Sequence, residues 1–554
     1  MEVLGPALEA PEVPISAKTP SIARSTASMS FATTLSRVTG FVRQWAMAVA
    51  LGVALTSTGA IPIASAYAIS NNIPNALYEL LVGGVLSSMF IPIFLERRQR
   101  DGQEGAFSFS NKLLSVSFVL LGLMALVGTF LPQPFVWTQT FTKTAAEAQL
   151  TIYLFRFFAV QIVFYGFCAI TTGILNSNRV FFAPAIAPLA NNIVVIAVLL
   201  GVYLPLHATR PDLAIVALGV GTTLGVVALF VFQLPALFKL GFRFRWSWDL
   251  ADPSLRKMAR KMVPIVVFTL VNIIGLSFRN AFATQAFPDG AAALLYAWMW
   301  YQLPYGVLAV AYITAVFPEL ADMAARVDWT PYKATFSRGL RVLSLLIMPM
   351  AAMLIALATP LVSLYVAGNF PRAAVPLIAT ILRLWTVGLF SFSSYMLTIR
   401  AFHAMQDSLT PMYTNLFATA VQIALYWYLT GAGGLGLAGI PLADAIYLTV
   451  HWLTLLVILR GRLGAFGGRQ VLWTYGRVAL ASAAGGGAAW GVTVAASRFG
   501  THAVVSIGQL LVGGTIGLAV AYGGAALMRV DEVHDAGAML KRLLGRIRPS
   551  ADAA

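Results

Sequence analysis

Ser36-Arg37-Val38-Thr39-Gly40-Phe41-Val42-Arg43 lies in the middle of the first long apolar segment of the chain, and its two arginines decide how the rest is read. At about 100° per residue, a helix brings Thr33, Ser36, Arg37, Gly40, Arg43 and Gln44 into one arc of roughly a third of its circumference. Leu35, Val38, Phe41, Val42, Trp45 and Val49 cover the remainder. An arginine left at the centre of a membrane helix costs about 2.5–3.5 kcal/mol on insertion scales. Two of them on one polar stripe are expected to face a wet cavity. The alternative is a place near the helix end, from which both snorkel to the headgroups.

The surrounding chain supports a membrane setting. Its 554 residues are 59% hydrophobic and 10% charged, which excludes an ordinary soluble domain. Segments of about 20 apolar residues number fourteen: 30–52, 60–95, 108–132, 147–176, 182–204, 213–236, 263–287, 291–322, 337–361, 373–403, 410–430, 435–459, 472–496 and 503–528. The long spans 2 and 8 contain Pro74 and Pro304, which predicts bent or broken helices. Residues 1–29 have no apolar core and read as a disordered cytoplasmic tail rather than a signal peptide. Cys168 is the one cysteine, so no intramolecular disulfide and no cysteine-based metal cluster is expected.

The net charge of +16 has a topological explanation that needs no nucleic acid. Of 37 Lys and Arg, 27 fall in loops on the side of the N-terminus. Four lie on the opposite side (Lys143, Arg210, Arg372, Arg498) and six within spans (Arg37, Arg43, Arg156, Arg279, Arg383, Arg400). The positive-inside rule then places both termini in the cytoplasm. Residues 237–262 are basic, with Trp246, Trp248 and Leu250 interleaved, and read either as an interfacial helix on the anionic inner leaflet or as a plain positive-inside loop. Residues 529–554 form a short basic tail of the same kind.

An internal repeat is visible. Arg156 precedes Pro184 by 28 residues and Arg383 precedes Pro411 by the same 28. At an offset of 226–227, Pro92 falls on Pro318, Glu96 on Asp322 and Lys112 on Arg338. An even number of spans separates the copies. The expected fold is therefore all-α and polytopic: two six-helix lobes (30–236 and 263–460) related by a pseudo-two-fold axis along the membrane normal, joined by the linker 237–262, with two further helices in 461–528.

Other polar residues fall inside spans. Asn71, Asn75 and Glu79 form one line beside Pro74, with Asn72 adjacent; Glu79 is either a coupling acid or a partner for Arg37 or Arg43. Asn272, Gly275 and Arg279 share a face of span 7, and Arg279 is placed toward the central cavity. Arg156 and Arg383 read equally as cavity residues or interface anchors. Asn415 and Asp444 are weak candidates for a cation site, since hard cations take several oxygen ligands. His403 and His451 read as hydrogen-bonded or interfacial. Gly485-Gly486-Gly487 fits close helix packing. No nucleophile–base pair, phosphate loop or metal cluster is apparent, so the chain reads as a transporter and not an enzyme. Convergent arginines bind oxyanions bidentately and stay charged. The residues alone thus point to a transporter or flippase of an anionic amphiphile.

Several stretches resemble the MurJ/MviN family of lipid II flippases, in the multidrug/oligosaccharidyl-lipid/polysaccharide exporter superfamily. They are Ser36-Arg37-Val38-x-Gly40-Phe41-x-Arg43; Ile73-Pro74-Asn75 with Phe90-Ile91-Pro92-Ile93; Asn176-x-Asn178-Arg179 with Pro184 and Ala187-Pro188; and Phe402-x-x-x-Gln406-Asp407-x-x-Thr410-Pro411. The resemblance implies a V-shaped pair of lobes with alternating access in the bacterial cytoplasmic membrane. It implies transfer of undecaprenyl-pyrophosphate-linked disaccharide-pentapeptide, lipid II, to the outer leaflet for peptidoglycan synthesis. It also implies contact with membrane lipids and with other cell-wall synthesis proteins. Ser36, Arg37 and Arg43 become candidate contacts to the pyrophosphate.

The chain departs from the family pattern where an acid is expected (Ser65), where arginines follow Pro-Asn (Tyr78, Glu79) and where span 8 carries an arginine (Met299). We expect Arg279 to replace the last of these and Glu79 the acid. The family's cation site lies among spans 7, 11 and 12; Asn415 matches one member, but Thr419 stands where an acid is expected, so coupling by Na+, by H+ or by membrane potential stays open. Competing functions are export of another polyprenyl-linked glycan or a drug, and a transport-inactive scaffold for cell-wall enzymes.

Overall fold

The computed structural model describes residues 22–56, 59–79, 90–500 and 502–533, and every regular element among them is helical. The first principal helices are α1 (Ile22–Leu51), α2 (Ile63–Glu79), α3 (Ile91–Phe130), α4 (Gln133–Thr140), α5 (Gln149–Ala159), α6 (Gln161–Ser177), α7 (Phe182–Val198) and α8 (Pro211–Val231). Then come α9 (Pro253–Ala286), α10 (Gly290–Pro304), α11 (Val310–Ala325), α12 (Trp329–Ala356), α13 (Val375–Val387), α14 (Leu389–Ala404), α15 (Leu409–Trp427), α16 (Gly439–Leu463), α17 (Gly468–Ala496) and α18 (Ala503–Leu527).

Ten helices among the described residues are long and apolar enough to cross a membrane, and the pair Arg372–Val387 and Leu389–Ala404, bent by 43°, makes an eleventh. The protein is thus an all-α polytopic membrane protein. The fourteen spans expected from the sequence are not reached by this measure. The helices that fall short are α1, α2 and α15, which carry Arg37 and Arg43, Asn71, Asn72 and Asn75, and Asn415. Polar residues lower the hydropathy of α1 and α15, and the described part of α2 is 17 residues long.

The helix pairings repeat. In the first group α1 packs on α7, α2 on α5, α3 on α6, α6 on α8 and α7 on α8. In the second, α9 packs on α15, α10 on α13, α12 on α14, α14 on α16 and α15 on α16, the same pairs in the same order. Helices α17 and α18 pack on each other and on α12. There Gly485 faces the Gly517 carbonyl so closely that a Cβ would lie 2.4 Å from it, as the glycine run predicts. The expected break in span 8 is a wide π turn, Tyr305–Ala309, just after Pro304.

Of the two readings of the linker, residues 242–249 follow the loop: they form no regular element. Their backbone bonds outward to α3: Asn111 Nδ2 donates to the Arg243 carbonyl, the Arg245 N–H to Asn111 Oδ1 and the Ser247 N–H to Ser115 Oγ. Those side chains satisfy groups that a helix would have used internally. Helix α9 consequently starts at Pro253, and Arg256, Lys257 and Arg260 lie on it. Two ends of the bundle result. The basic end gathers the turns near residues 102, 178–181, 240–252, 326–328 and 405–408. The far end gathers 52–62, 141–148, 287–289 and 364–374.

Candidate functional site

Helix α1 is held at the level of its arginine motif by Asn192 of α7, whose Nδ2 donates to the Ser36 carbonyl and to Thr39 Oγ1, both at 3.2 Å. From that fixed backbone Arg37 reaches across to the second helix group, where its Nη1 donates to the Gly306 carbonyl at 2.5 Å. Gly306 stands in the π turn after Pro304, where the backbone ladder changes register and an outside donor finds an acceptor. Arg43, two turns along, is half-buried near Tyr67, and its Nε is buried with no hydrogen-bond partner among the described residues.

The arginine expected at the cavity from the second helix group is Arg279 on α9. Its guanidinium lies 5.7 Å from the ring centre of Trp298 and 5.9 Å from that of Trp385, and its Nε is likewise buried without a partner among the described residues. Trp298 precedes Met299, so a cation stands beside the place where the resemblance expects an arginine. Arg156 is exposed on α5, with no bond from its guanidinium among the described residues. Arg383, its partner in the repeat, is tied down: it donates to the Ile355 carbonyl and to Thr359 Oγ1.

On α2, Asn72 Nδ2 lies 3.5 Å from Gln139 Oε1, which also accepts from Asn280 of α9 at 2.7 Å. Asn75 accepts from Tyr165 at 2.8 Å, and Asn71 Oδ1 is buried without a partner among the described residues. The side chain of Glu79 lies outside the described residues. Gln139 is fully buried between the two groups of helices and was not signalled by the sequence, because α4 is a short helix outside any expected span.

The two cation-site candidates have different hydrogen-bond partners. Asp444 accepts from Trp385 Nε1 at 2.8 Å, from Gln422 Nε2 at 2.7 Å and from Tyr426 Oη. Asn415 donates to Asn272 and accepts from Tyr447, both at 3.1 Å. Asp444 is thus surrounded by donors, an arrangement that satisfies a carboxylate and offers a cation few free oxygens.

The far end is closed by a reciprocal cap between the two helix groups. Asp289, 1% exposed, accepts the Ala54 N–H at 2.8 Å and the Ser65 N–H at 2.9 Å. Ser65 Oγ in turn accepts the Ala292 N–H at 3.0 Å. Ser65 and Ala292 are both in the first turns of their helices, where backbone N–H groups have no partner in the same helix. Burial pushes the Asp289 carboxyl above its ordinary range, against the pull of the Ser65 and Ala54 donors. A carboxylate from the other helix group thus stands at Ser65, where the resemblance expects an acid; the expected replacement, Glu79, has its side chain outside the described residues. Asp289 directly before Gly290 at a helix start is a capping signal, but its partner lies 224 residues away in sequence.

Around this cap, Asn369 donates its backbone N–H to the Val49 carbonyl and its Nδ2 to the Ala50 carbonyl, both at 2.8 Å. Trp45 Nε1 donates to the Leu364 carbonyl and Tyr296 Oη to the Gly52 carbonyl. Gly52 and Gly368 both adopt positive φ, and a Cβ on either would lie within 2.5 Å of a carbonyl oxygen of the facing segment.

The basic end is held by charge. Arg97 pairs with Asp252 at 2.8 Å, Lys112 with Asp249 and Asp252 at 2.8 Å, and Lys257 with Glu96 at 2.8 Å. These bonds tie the linker and the start of α9 to α3. The Asp252 carboxyl is raised by burial, but the Lys112 ammonium, the Ser254 N–H and Arg97 outweigh this and hold it below the ordinary range.

A sequence profile of the family described as lipid II flippase MurJ matches residues 55–510. A probable lipid II flippase MurJ of Rhizobium meliloti (strain 1021) is 29% identical over 456 residues, covering 80% of this chain and 82% of the relative. The lipid II flippase MurJ of Burkholderia cenocepacia is 27% identical over 439 residues, covering 78% and 82%. Among solved structures, a lipid II flippase MurJ in an inward closed conformation superposes with a TM-score of 0.71 at 21% identity, covering 91% of this chain and 99% of that one. An inward-facing multidrug resistance MATE family transporter of the MOP superfamily follows at 0.64 and 16% identity, covering 80% and 98%. The profile spans most of the sequence, and by that match the chain belongs to the lipid II flippase MurJ family.

Proposed function

We propose that this protein moves lipid II from the inner to the outer leaflet of the bacterial cytoplasmic membrane by alternating access, with both termini cytoplasmic, the basic end inward and the far end outward. The carrying observation is that Arg43 on α1 and Arg279 on α9, one from each helix group, both have a buried Nε without a protein acceptor among the described residues. A guanidinium stays charged, and a buried donor left unmatched is costly. An oxyanion such as pyrophosphate matches both at once.

In this assignment Ser36, Arg37, Arg43 and Arg279 form the anion site, and Asn72 and Asn75 line its wall. Arg37 exchanges the Gly306 carbonyl for the substrate, which couples loading to the contact between the groups. Residues 30–236 and 263–460 act as the two lobes, with 237–262 as their hinge-side linker. Membrane potential supplies the drive, about 2.3 kcal/mol per charge per 100 mV, because Asp444 and Asn415 are already engaged by protein donors and acceptors.

The test is lipid II exposed on the outer leaflet of cells that depend on this protein alone, at matched expression. Arg43→Ala and Arg279→Ala are each expected to lower exposure by at least about tenfold, the effect of losing a charge-assisted hydrogen bond worth ~1.5–3 kcal/mol. Normal exposure after depletion of the protein would overturn the flippase assignment. Full exposure with both arginines neutralised would place the anion elsewhere.

A further inference from the structure

A cavity remote in character from the arginine site opens between α3, α6 and the first half of α9. Its volume is about 550 Å³, within the range of roughly 300–1,000 Å³ typical of small-ligand sites. Leu113, Leu121, Ile170, Met258, Met262 and Val266 are among its walls, and apart from Ser117 and Arg256 its lining among the described residues is apolar. We propose that it holds one acyl chain of an anionic phospholipid of the inner leaflet, with the phosphate on Arg256. This rests on the inward placement of the basic end but not on which molecule the protein transports.

Three observations select that occupant. The first is depth. Phe244, Trp246 and Trp248 of the adjoining linker are each about half exposed, and aromatic side chains of this kind settle at the headgroup level. Trp246 packs edge-on against Phe118 of α3, which fixes the cavity just beneath that level. The second is charge. Arg97, Lys112 and Lys257 beside the cavity each pair with an acid, whereas Arg256 is exposed, lines the cavity and has no ion pair among the described residues. No acid lines the cavity among those residues, so an anion meets no repulsion there. The third is energetic. A lipid chain gains little by leaving bilayer hydrocarbon for an apolar protein wall, so occupancy depends on the headgroup, and a guanidinium favours phosphate over a zwitterion whose cation it repels.

The wall that such a chain would brace is functional. Met258, Met262 and Val266 belong to the helix that, farther along, carries Asn272, Arg279 and Asn280. A chain between α9 and α3 holds the start of α9 on the first helix group while its other end packs on α15 in the second. The lipid thereby acts on a helix that packs on both groups.

The experiment is native mass spectrometry of the full-length protein released from micelles containing phosphatidylglycerol or phosphatidylcholine of identical chains. Wild type is expected to retain one phosphatidylglycerol in preference to phosphatidylcholine. Arg256→Gln, at an exposed position, is expected to reduce that preference by about fivefold, the order of effect of one basic residue at an anionic surface. Ala259→Trp, which fills the cavity, is expected to abolish retention of either lipid there. Unchanged preference in Arg256→Gln would overturn the proposal. So would displacement of the retained lipid by equimolar undecaprenyl phosphate, which would give the cavity to a polyprenyl tail instead. Neither result depends on lipid II exposure in cells, so the two assignments fail separately.

Discussion

The far end of the bundle joins the two helix groups through backbone, while the basic end joins linker to helix through charge. At the far end, Asp289 takes N–H groups from Ala54 and Ser65, Ser65 takes one from Ala292, and Asn369 meets two carbonyls of α1. At the basic end, Arg97, Lys112 and Lys257 meet Asp249, Asp252 and Glu96, mostly at exposed or half-exposed positions. The backbone seam is short-ranged and unforgiving of displacement. Ion pairs act over the ~8–10 Å of a Debye length and tolerate movement. A seam that must shut out water suits the first kind, and a tether that must stay attached while α9 shifts suits the second.

The sharpest way to break this contrast is Asp289→Ala. It uncaps Ala54 and Ser65 together, at about 0.5–2 kcal/mol for each cap. With Cys168 replaced by Ser and Ile61→Cys introduced at the buried seam, labelling from outside is expected to rise about 5- to 30-fold. No increase would show that the seam holds without its carboxylate. Ser65→Asp comes next: it puts a second carboxylate against Asp289, and like charges at this distance repel strongly. We expect it to open the seam alone and to be rescued by Asp289→Asn, as a swap of the acid back across the interface requires. Failure of the rescue would sink the view that Asp289 replaces the acid expected at Ser65. Ser65→Ala, which removes one cap, should cost about half as much as Asp289→Ala.

The smallest effect is predicted at the basic end. Asp252 has a carboxyl pKa lowered by folding, so its contribution is present above the ordinary carboxylate value and fades as pH falls through the lowered one. Hydrogen exchange at Ser254, whose N–H it accepts, should accelerate only below about pH 4. Asp252→Asn should accelerate it at neutral pH with little change in labelling at Ile61. Coupled opening of both ends by that variant would erase the distinction between seam and tether.

Much of the fold could be read from the sequence because its signals are local. Hydropathy and the offset of 226–227 residues anticipated the helices and their repeated pairings. What could not be read depends on distant partners. The partners of Asp289 are not legible locally, because its acceptor role joins segments 224 residues apart, and Gln139 gains meaning only between Asn72 and Asn280. The aromatic and basic pattern of the linker fits an interfacial helix and a loop equally, and what decides at 243–247 is the bonding of its backbone to Asn111 and Ser115 of α3. The protein partners of Asp444 and Asn415, the weak candidates for a cation site, likewise come from distant helices.

The glycines facing carbonyls at Gly52 and Gly368 bear on the membrane's electrical integrity. A joint in which main chain touches main chain has no intermediate gap for a file of water: the Asn369 carbonyl either occupies the space left beside Gly52 or loses its neighbours together. We expect such a closure to be two-state, so that a membrane holding many copies keeps its proton gradient.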